Sequence, residues 1–201
     1  MTPTARLETN RFVIRPWRED DLDAAAEICA DPEVMRYFPA VMSRMETTHF
    51  INRAMEKHRK DGFCFSPVID KTDGEFLGFV GLSRPTYKAP LPFDPCVEIG
   101  WRLKRSAWGK GVASEAARAW LRFGFETLKL SEIVSFTARQ NMPSQKVMKR
   151  IGMTRDRDGD FEHPALDLGD DLSWHVLYRL TSADWRAADS RETSVFLSPS
   201  G

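Results

Sequence analysis

Residues 98–115, EIGWRLKRSAWGKGVASE, change their period halfway along. Val97, Ile99 and Trp101 alternate with Glu98, Gly100 and Arg102, the two-residue period of a strand. From Ala113 onward Ala116, Ala117 and Ala119 are strong helix formers, and no Gly or Pro intervenes before Gly124. Trp108-Gly109-Lys110-Gly111 lies between the two. A strand, a glycine-bearing loop and a helix N-terminus together make an anion site. The first helical turn has free backbone N–H groups, and the macrodipole adds partial positive charge. The glycines let the backbone come close to a phosphate.

Two familiar phosphate motifs do not fit. A Walker loop needs four residues between its glycines and a hydroxyl after the lysine; here one residue separates them and Val112 follows. A dinucleotide fingerprint needs a third glycine where Ser114 stands. The stretch instead resembles motif A of the GNAT superfamily of acyl-CoA N-acyltransferases, Gln/Arg-x-x-Gly-x-Gly/Ala. The frame falls on residues 106–111, with Ser106 in the first position and Arg105 beside it. Its wording is similar to the branch of ribosomal-protein N-terminal alanine acetyltransferases of RimJ/RimL type.

Outward from this stretch, composition narrows the class. The chain has 201 residues, 42% hydrophobic and 29% charged, consistent with one globular domain over residues 1–186 and a disordered tail over 187–201. With 29 basic and 29 acidic residues it has no net field favouring nucleic acid. No apolar run reaches the length of a membrane span, and the first residues lack the apolar core of a signal peptide. Cys29, Cys64 and Cys96 are scattered and odd in number, which argues against a disulfide framework and for a reducing cytoplasm. His49, His58, His163 and His175 have no metal-ligand spacing, so no metal is expected.

In chain order, residues 7–15 read as a strand stopped by Pro16, and residues 19–31 as a helix. Residues 32–44 are irregular but rich in large side chains; Tyr37 and Phe38 are candidate walls of a substrate pocket. A helix over 46–60 and strands over 63–69 and 76–82 follow, the strands joined by a turn at Lys71-Thr72-Asp73-Gly74. Four prolines make 83–95 a loop. The organising strand, a helix over 112–128, a strand over 133–138, a short helix over 143–151 and two last strands complete the order. The resemblance implies a mixed α/β fold, with a central sheet of about seven strands and helices on both faces. It also implies a splayed parallel pair, 97–103 beside 133–138, as the slot for the pantetheine arm of acetyl-CoA. Gly100 is the candidate for a bulge there.

A second segment supports the same likeness: Asn141-Met142-Pro143-Ser144 followed by Lys149 to Met153 resembles the family's N-x-x-S and G-F pattern, with Met153 in place of Phe. Asn141 reads equally as a helix cap. By resemblance, Asn141 would hold the pantetheine arm and Ser144 would lie near the sulfur. Ile99, Trp101 and Leu103 would flank the arm, and residues 108–114 (Trp108, Gly109, Lys110, Gly111, Val112, Ala113 and Ser114) would cradle the pyrophosphate. The implied reaction moves an acetyl group from acetyl-CoA to a small-molecule or peptide amine. The amine must be neutral to attack, and deprotonating a lysine costs roughly 3 kcal/mol more than an α-amine. Glu98 and Glu162 are the candidate bases, with His163 beside the second as a substrate contact. Backbone N–H groups of the organising strand could meet the oxyanion. The alternative is a non-catalytic acyl-CoA sensor of the same fold. The chain is expected to be a monomer or homodimer with no nucleic-acid or membrane partner.

Between residues 155 and 175 stand Asp156, Asp158, Asp160, Glu162, Asp167, Asp170 and Asp171, opposed only by Arg155 and Arg157. This reads either as a solvated loop or as a negative rim favouring cationic acceptors.

Overall fold

The computed structural model describes residues 5–167 and 169–195. Strands β1 (Leu7–Glu8) and β2 (Phe12–Ile14) precede helices α1 (Leu22–Ala30), α2 (Pro32–Met35) and α3 (Arg44–Asp61). Strands β3 (Ser66–Asp70), β4 (Phe76–Ser83) and β5 (Glu98–Leu103) follow, then α4 (Val112–Arg122), β6 (Glu132–Ala138) and α5 (Met142–Arg150). The described chain ends with β7 (Thr154–Glu162), β8 (Trp174–Thr181) and α6 (Ser182–Val195). The eight strands form one sheet in the order β1-β2-β3-β4-β5-β6-β8-β7. Every neighbouring pair is antiparallel except β5 and β6.

Local chemistry explains the helix ends. Ser43 and Glu46 form a reciprocal capping box at the start of α3, and Gly62, at φ 82°, ends it in the left-handed region. Asp31 accepts from the Glu33 N–H with Pro32 at the first position, so four residues of the segment expected to be irregular form α2. After α4 the backbone widens into a π-helical turn over Phe123–Thr127. Gly124 sits there because a Cβ would stand 2.7 Å from Ile133 Cδ1 and 3.0 Å from Leu82 Cδ1. The described backbone closes with α6, which runs across the first residues of the expected tail to Val195, and Trp185 stacks on Phe125 at 5.7 Å between ring centroids. Residues 196–201 of that expected tail lie outside the described residues.

Helices cover both faces of the sheet. On one face α4 and α5 bury Val112, Ala116, Ala117, Trp120 and Met148 against Ile99, Leu103 and Ile133. On the other, α1 and α3 close a smaller cluster around Trp17, Ile51 and Phe79. Because both faces are covered, the polar face of a central strand such as β5 is enclosed as well.

Gly100 is not a bulge. The β4–β5 register runs unbroken from Gly78↔Leu103 to Ser83↔Glu98. The irregularity lies one strand away, between Val68 and Ile69, where β3 meets β4. The glycine at position 100 has a different cause: a Cβ there would press on Phe65 Cε1 at 3.1 Å.

Trp120 is fully buried on α4, yet its indole N–H has no hydrogen-bond partner among the described residues. Trp120→Ala should cost about 3–5 kcal/mol in chemical denaturation. Trp120→Phe should cost far less, since it keeps most of the ring and removes the unsatisfied donor.

Candidate active site

A cleft of about 720 Å³ runs along β5 and β6 and opens under the segment that follows α2. Its origin is the parting of the one parallel pair among the described strands. Pairing between β5 and β6 amounts to one rung, Glu98↔Val134, with the Val134 N–H on the Val97 carbonyl at 2.9 Å. The next rung is replaced by a side chain: Ser135 Oγ donates to the Ile99 carbonyl at 2.8 Å. Further along, the Leu103 carbonyl accepts from Trp108 Nε1 at 2.9 Å. The carbonyls of residues 97, 99 and 103 therefore all have partners on this edge of β5. By strand alternation Trp101 turns its own N–H and C=O toward the same edge, into the slot.

The far wall of the slot is the start of α5. Asn141 caps the helix, accepting from the Ser144 N–H at 3.2 Å, and donates from Nδ2 to Thr137 Oγ1 at 2.9 Å. Ser144 Oγ accepts from Trp101 Nε1 at 3.3 Å, which leaves its own proton free to be donated. The two sequence motifs thus meet across the slot.

At its outer end the cleft reaches the glycine loop. Gly109 and Gly111 have φ of 73° and 77°, a conformation that side chains rarely adopt, and Gly111 is the N-cap of α4. Ser114, in the first turn, is 4% exposed, lines the cleft, and its Oγ has no partner. A carboxylate in the same turn would repel a phosphate, but Glu115 is held aside. Arg11 donates to Glu115 from its backbone N at 3.1 Å and from Nε at 2.8 Å, and its Nη1 donates to the Lys110 carbonyl at 3.0 Å. These residues fit a pyrophosphate: a glycine backbone, a free helix N-terminus, an unpartnered buried hydroxyl and no competing free carboxylate.

The opposite face of β5 carries Glu98, Gly100 and Arg102. Burial pushes the Glu98 carboxyl up to about 7 against the pull of the Lys57 ammonium, and Asp94 adds a smaller push the same way. Across the cleft lie His163 and His175, with ring centroids 4.7 Å apart, and Tyr87 stands edge-on to His163 at 4.6 Å. Burial and the neighbouring His175 push His163 down to about 4, and burial lowers His175 too, so both rings are neutral at pH 7. His163 Nδ1 accepts from the Ala165 N–H at 3.2 Å, which puts the ring proton on Nε2.

Most residues singled out in the sequence converge here. Glu98, Trp101, Leu103, Trp108, Gly109, Gly111, Val112, Ala113, Ser114, Asn141, Ser144, Tyr37, Phe38 and His163 all line the cleft. Three do not. Ile99 points its side chain into the core, and Lys110 is exposed, serving through its carbonyl. Glu162 is exposed because β7 alternates: Phe161 and His163 are buried, and the residue between them faces outward. The acidic segment is no rim of the cleft either. None of its carboxylates lines it; Asp156 pairs with Arg179 at 2.7 Å, and Asp160 pairs with Arg155. Tyr87, His175 and Arg102 are cleft residues that the sequence reading passed over. Arg102 had a visible signal, as a charge on a strand buried on both faces.

Comparison with known proteins agrees with this geometry. Residues 11–154 match the family described as acetyltransferase (GNAT) domain. An uncharacterized N-acetyltransferase YnaD of Bacillus subtilis is 29% identical over 180 residues, 89% of this chain and 98% of the relative. The FsC-acetyl coenzyme A-N(2)-transacetylase of Aspergillus fumigatus is 29% identical over 89% of this chain and 77% of its own length. A GNAT-family acetyltransferase from Bacillus anthracis, solved by crystallography, superposes with a TM-score of 0.72 at 29% identity, covering 89% of this chain and 99% of that one. With the slot, the glycine loop and the capped α5 in one cleft, and a family match over most of its length, the chain belongs to the GNAT acetyltransferases and is an N-acetyltransferase.

Proposed function

We propose that the chain transfers an acetyl group from acetyl-CoA to a primary amine by direct attack, with Glu98 as base. The observation that carries this reading is the position of Glu98. It stands at the single rung of β5–β6 pairing, where the slot begins, with its carboxyl pushed up to about 7. A base titrating near neutral pH is half ionised under working conditions and still strong enough to accept an ammonium proton.

Each residue has a role in this reading. The backbone of residues 109–114 and the Ser114 hydroxyl bind the pyrophosphate. Asn141, with its cap already satisfied, has one Nδ2 proton left for the pantetheine arm. Trp101 and Leu103 flank that arm. Glu98, directly or through water, takes the proton from the attacking nitrogen. The Trp101 N–H meets the negative charge on the former carbonyl oxygen. As the carbon–sulfur bond breaks, the Ser144 hydroxyl donates or relays a proton to the leaving thiolate. Tyr37, Phe38 and His163 face the acceptor. The likeness to RimJ/RimL-type enzymes rests on the wording of residues 98–115.

Acetyl-CoA at a hundred times its dissociation constant should add about 2.7 kcal/mol of stability, read as a thermal shift. Gly111→Val should abolish that shift by forcing a side chain onto a φ of 77°. Failure of the wild-type chain to respond to either acetyl-CoA or CoA would refute the site. Stabilisation without turnover on any amine would favour the non-catalytic sensor.

The kcat/KM profile should show an acidic limb near pH 7, lost in Glu98→Gln and kept in Glu162→Gln. Stability supplies a second readout. The Glu98 carboxyl rises from an ordinary 4.5 to about 7 on folding, so the folded chain binds its proton more tightly than the unfolded chain. Its contribution must then fall as pH rises from about 4.5 to about 7. Glu98→Gln should therefore gain stability relative to wild type across that window. Ser144→Ala should lower kcat more than it weakens CoA binding.

A further inference from the structure

Arg102 is a cation without an anion. Among the described residues no carboxylate lies within ion-pair distance of it. Its polar contacts are to two sulfurs, Cys29 Sγ at 3.1 Å and Met42 Sδ at 3.3 Å, both weak acceptors. Its Nε is buried with no partner among the described residues. Three aromatic rings surround the guanidinium, with Phe38 at 4.3 Å, Phe79 at 5.3 Å and Phe50 at 5.8 Å. A guanidinium has five donors, and enclosing one without a counter-charge is unfavourable. The side chain lines the cleft, so what it lacks can be supplied from there.

Its place on the strand says which molecule supplies it. Glu98 and Arg102 project from the same face of β5, four positions apart, which puts their Cα atoms about 13 Å from each other. Gly100 between them has no side chain, and Phe65 floors that interval. The strip thus has a base at one end, an unpaired guanidinium at the other and an aromatic floor between. The other charges lining the cleft are elsewhere: Glu33 and Arg36 are 3.9 Å from each other on the α2 side, and Lys146 and Arg150 lie on α5 with Ser144.

We infer that the amine acceptor carries a carboxylate, bound by Arg102 as a two-pronged ion pair while its amine lies at Glu98. The planar fork of a guanidinium fits a carboxylate through two parallel N–H···O bonds. The acceptor class is therefore an ω-amino carboxylate, with its amine and carboxylate at opposite ends of an apolar or aromatic body. This rests on the acetyltransferase reading above and replaces the cationic acceptor that the acidic segment suggested.

The test offers the full-length chain and acetyl-CoA a ladder of ω-amino carboxylates of increasing length, each beside its primary amide. At the best length the carboxylate should exceed the amide in kcat/KM by about tenfold to a hundredfold. A second readout needs no turnover: phenylacetate, but not phenylacetamide, should raise the melting temperature of the CoA-loaded chain. Arg102→Met should erase both differences while leaving the thermal shift with acetyl-CoA intact. If neither turnover nor stabilisation distinguishes carboxylate from amide, or if the distinction survives Arg102→Met, the inference is overturned. The acetyltransferase reading stands or falls separately, on stabilisation by acetyl-CoA and transfer to any amine.

Discussion

The constraint on which this molecule depends is that two neighbouring strands, β5 and β6, point the same way and yet pair at one rung only. Unpaired backbone inside a protein is unfavourable unless something else satisfies it. Here the surroundings satisfy much of it: the Ser135 hydroxyl takes the Ile99 carbonyl and the Trp108 indole takes the Leu103 carbonyl. The Trp101 N–H and C=O are left facing the gap. Antiparallel partners on the outer sides, β4 and β8, hold the two strands in place over long continuous registers, so the gap can persist without the sheet coming apart.

Everything chemical is arranged around that gap by the alternation of β5. Residues on one face, Ile99 and Leu103, anchor it on α4. Residues on the other face, Glu98, Gly100 and Arg102, line the cleft. The same helix that packs under β5 begins with the glycine loop, so the distance from phosphate site to slot is fixed by the strand and the turn that joins them. The hairpin of β1 and β2 contributes from a hundred residues away: Arg11 ties down both the Glu115 carboxylate and the Lys110 carbonyl.

Local features of this plan were legible in the sequence. The change of period after Leu103, the glycine pair, the Asn141 cap and the prolines of the loop before β5 each follow from neighbours along the chain, and each has its expected place. What was not legible depends on strand register and on distant partners. Glu98 and Glu162 look equivalent as acids on strands; only the inward turn of Phe161 and His163 puts Glu162 outside. Gly100 suggested a bulge, but its cause is Phe65, thirty-five residues earlier. The acids between 155 and 171 read either as a solvated loop or as a rim, and only the fold puts Arg179 and Arg155 beside two of them. The polar composition after Trp185 carries no apolar period to mark α6, whose Trp185 stacks on Phe125.

The central claim is that the Trp101 backbone is the unpaired rung that receives the acetyl donor. Amide hydrogen exchange, resolved residue by residue by NMR, tests it directly. In the free chain the Gly100 and Arg102 amides, which face β4, should exchange slowly, and the Trp101 amide between them should exchange much faster. Acetyl-CoA should slow Trp101 and leave its two neighbours as they were. A Trp101 amide already as slow as its neighbours in the free chain, or unmoved by saturating acetyl-CoA, would contradict the account.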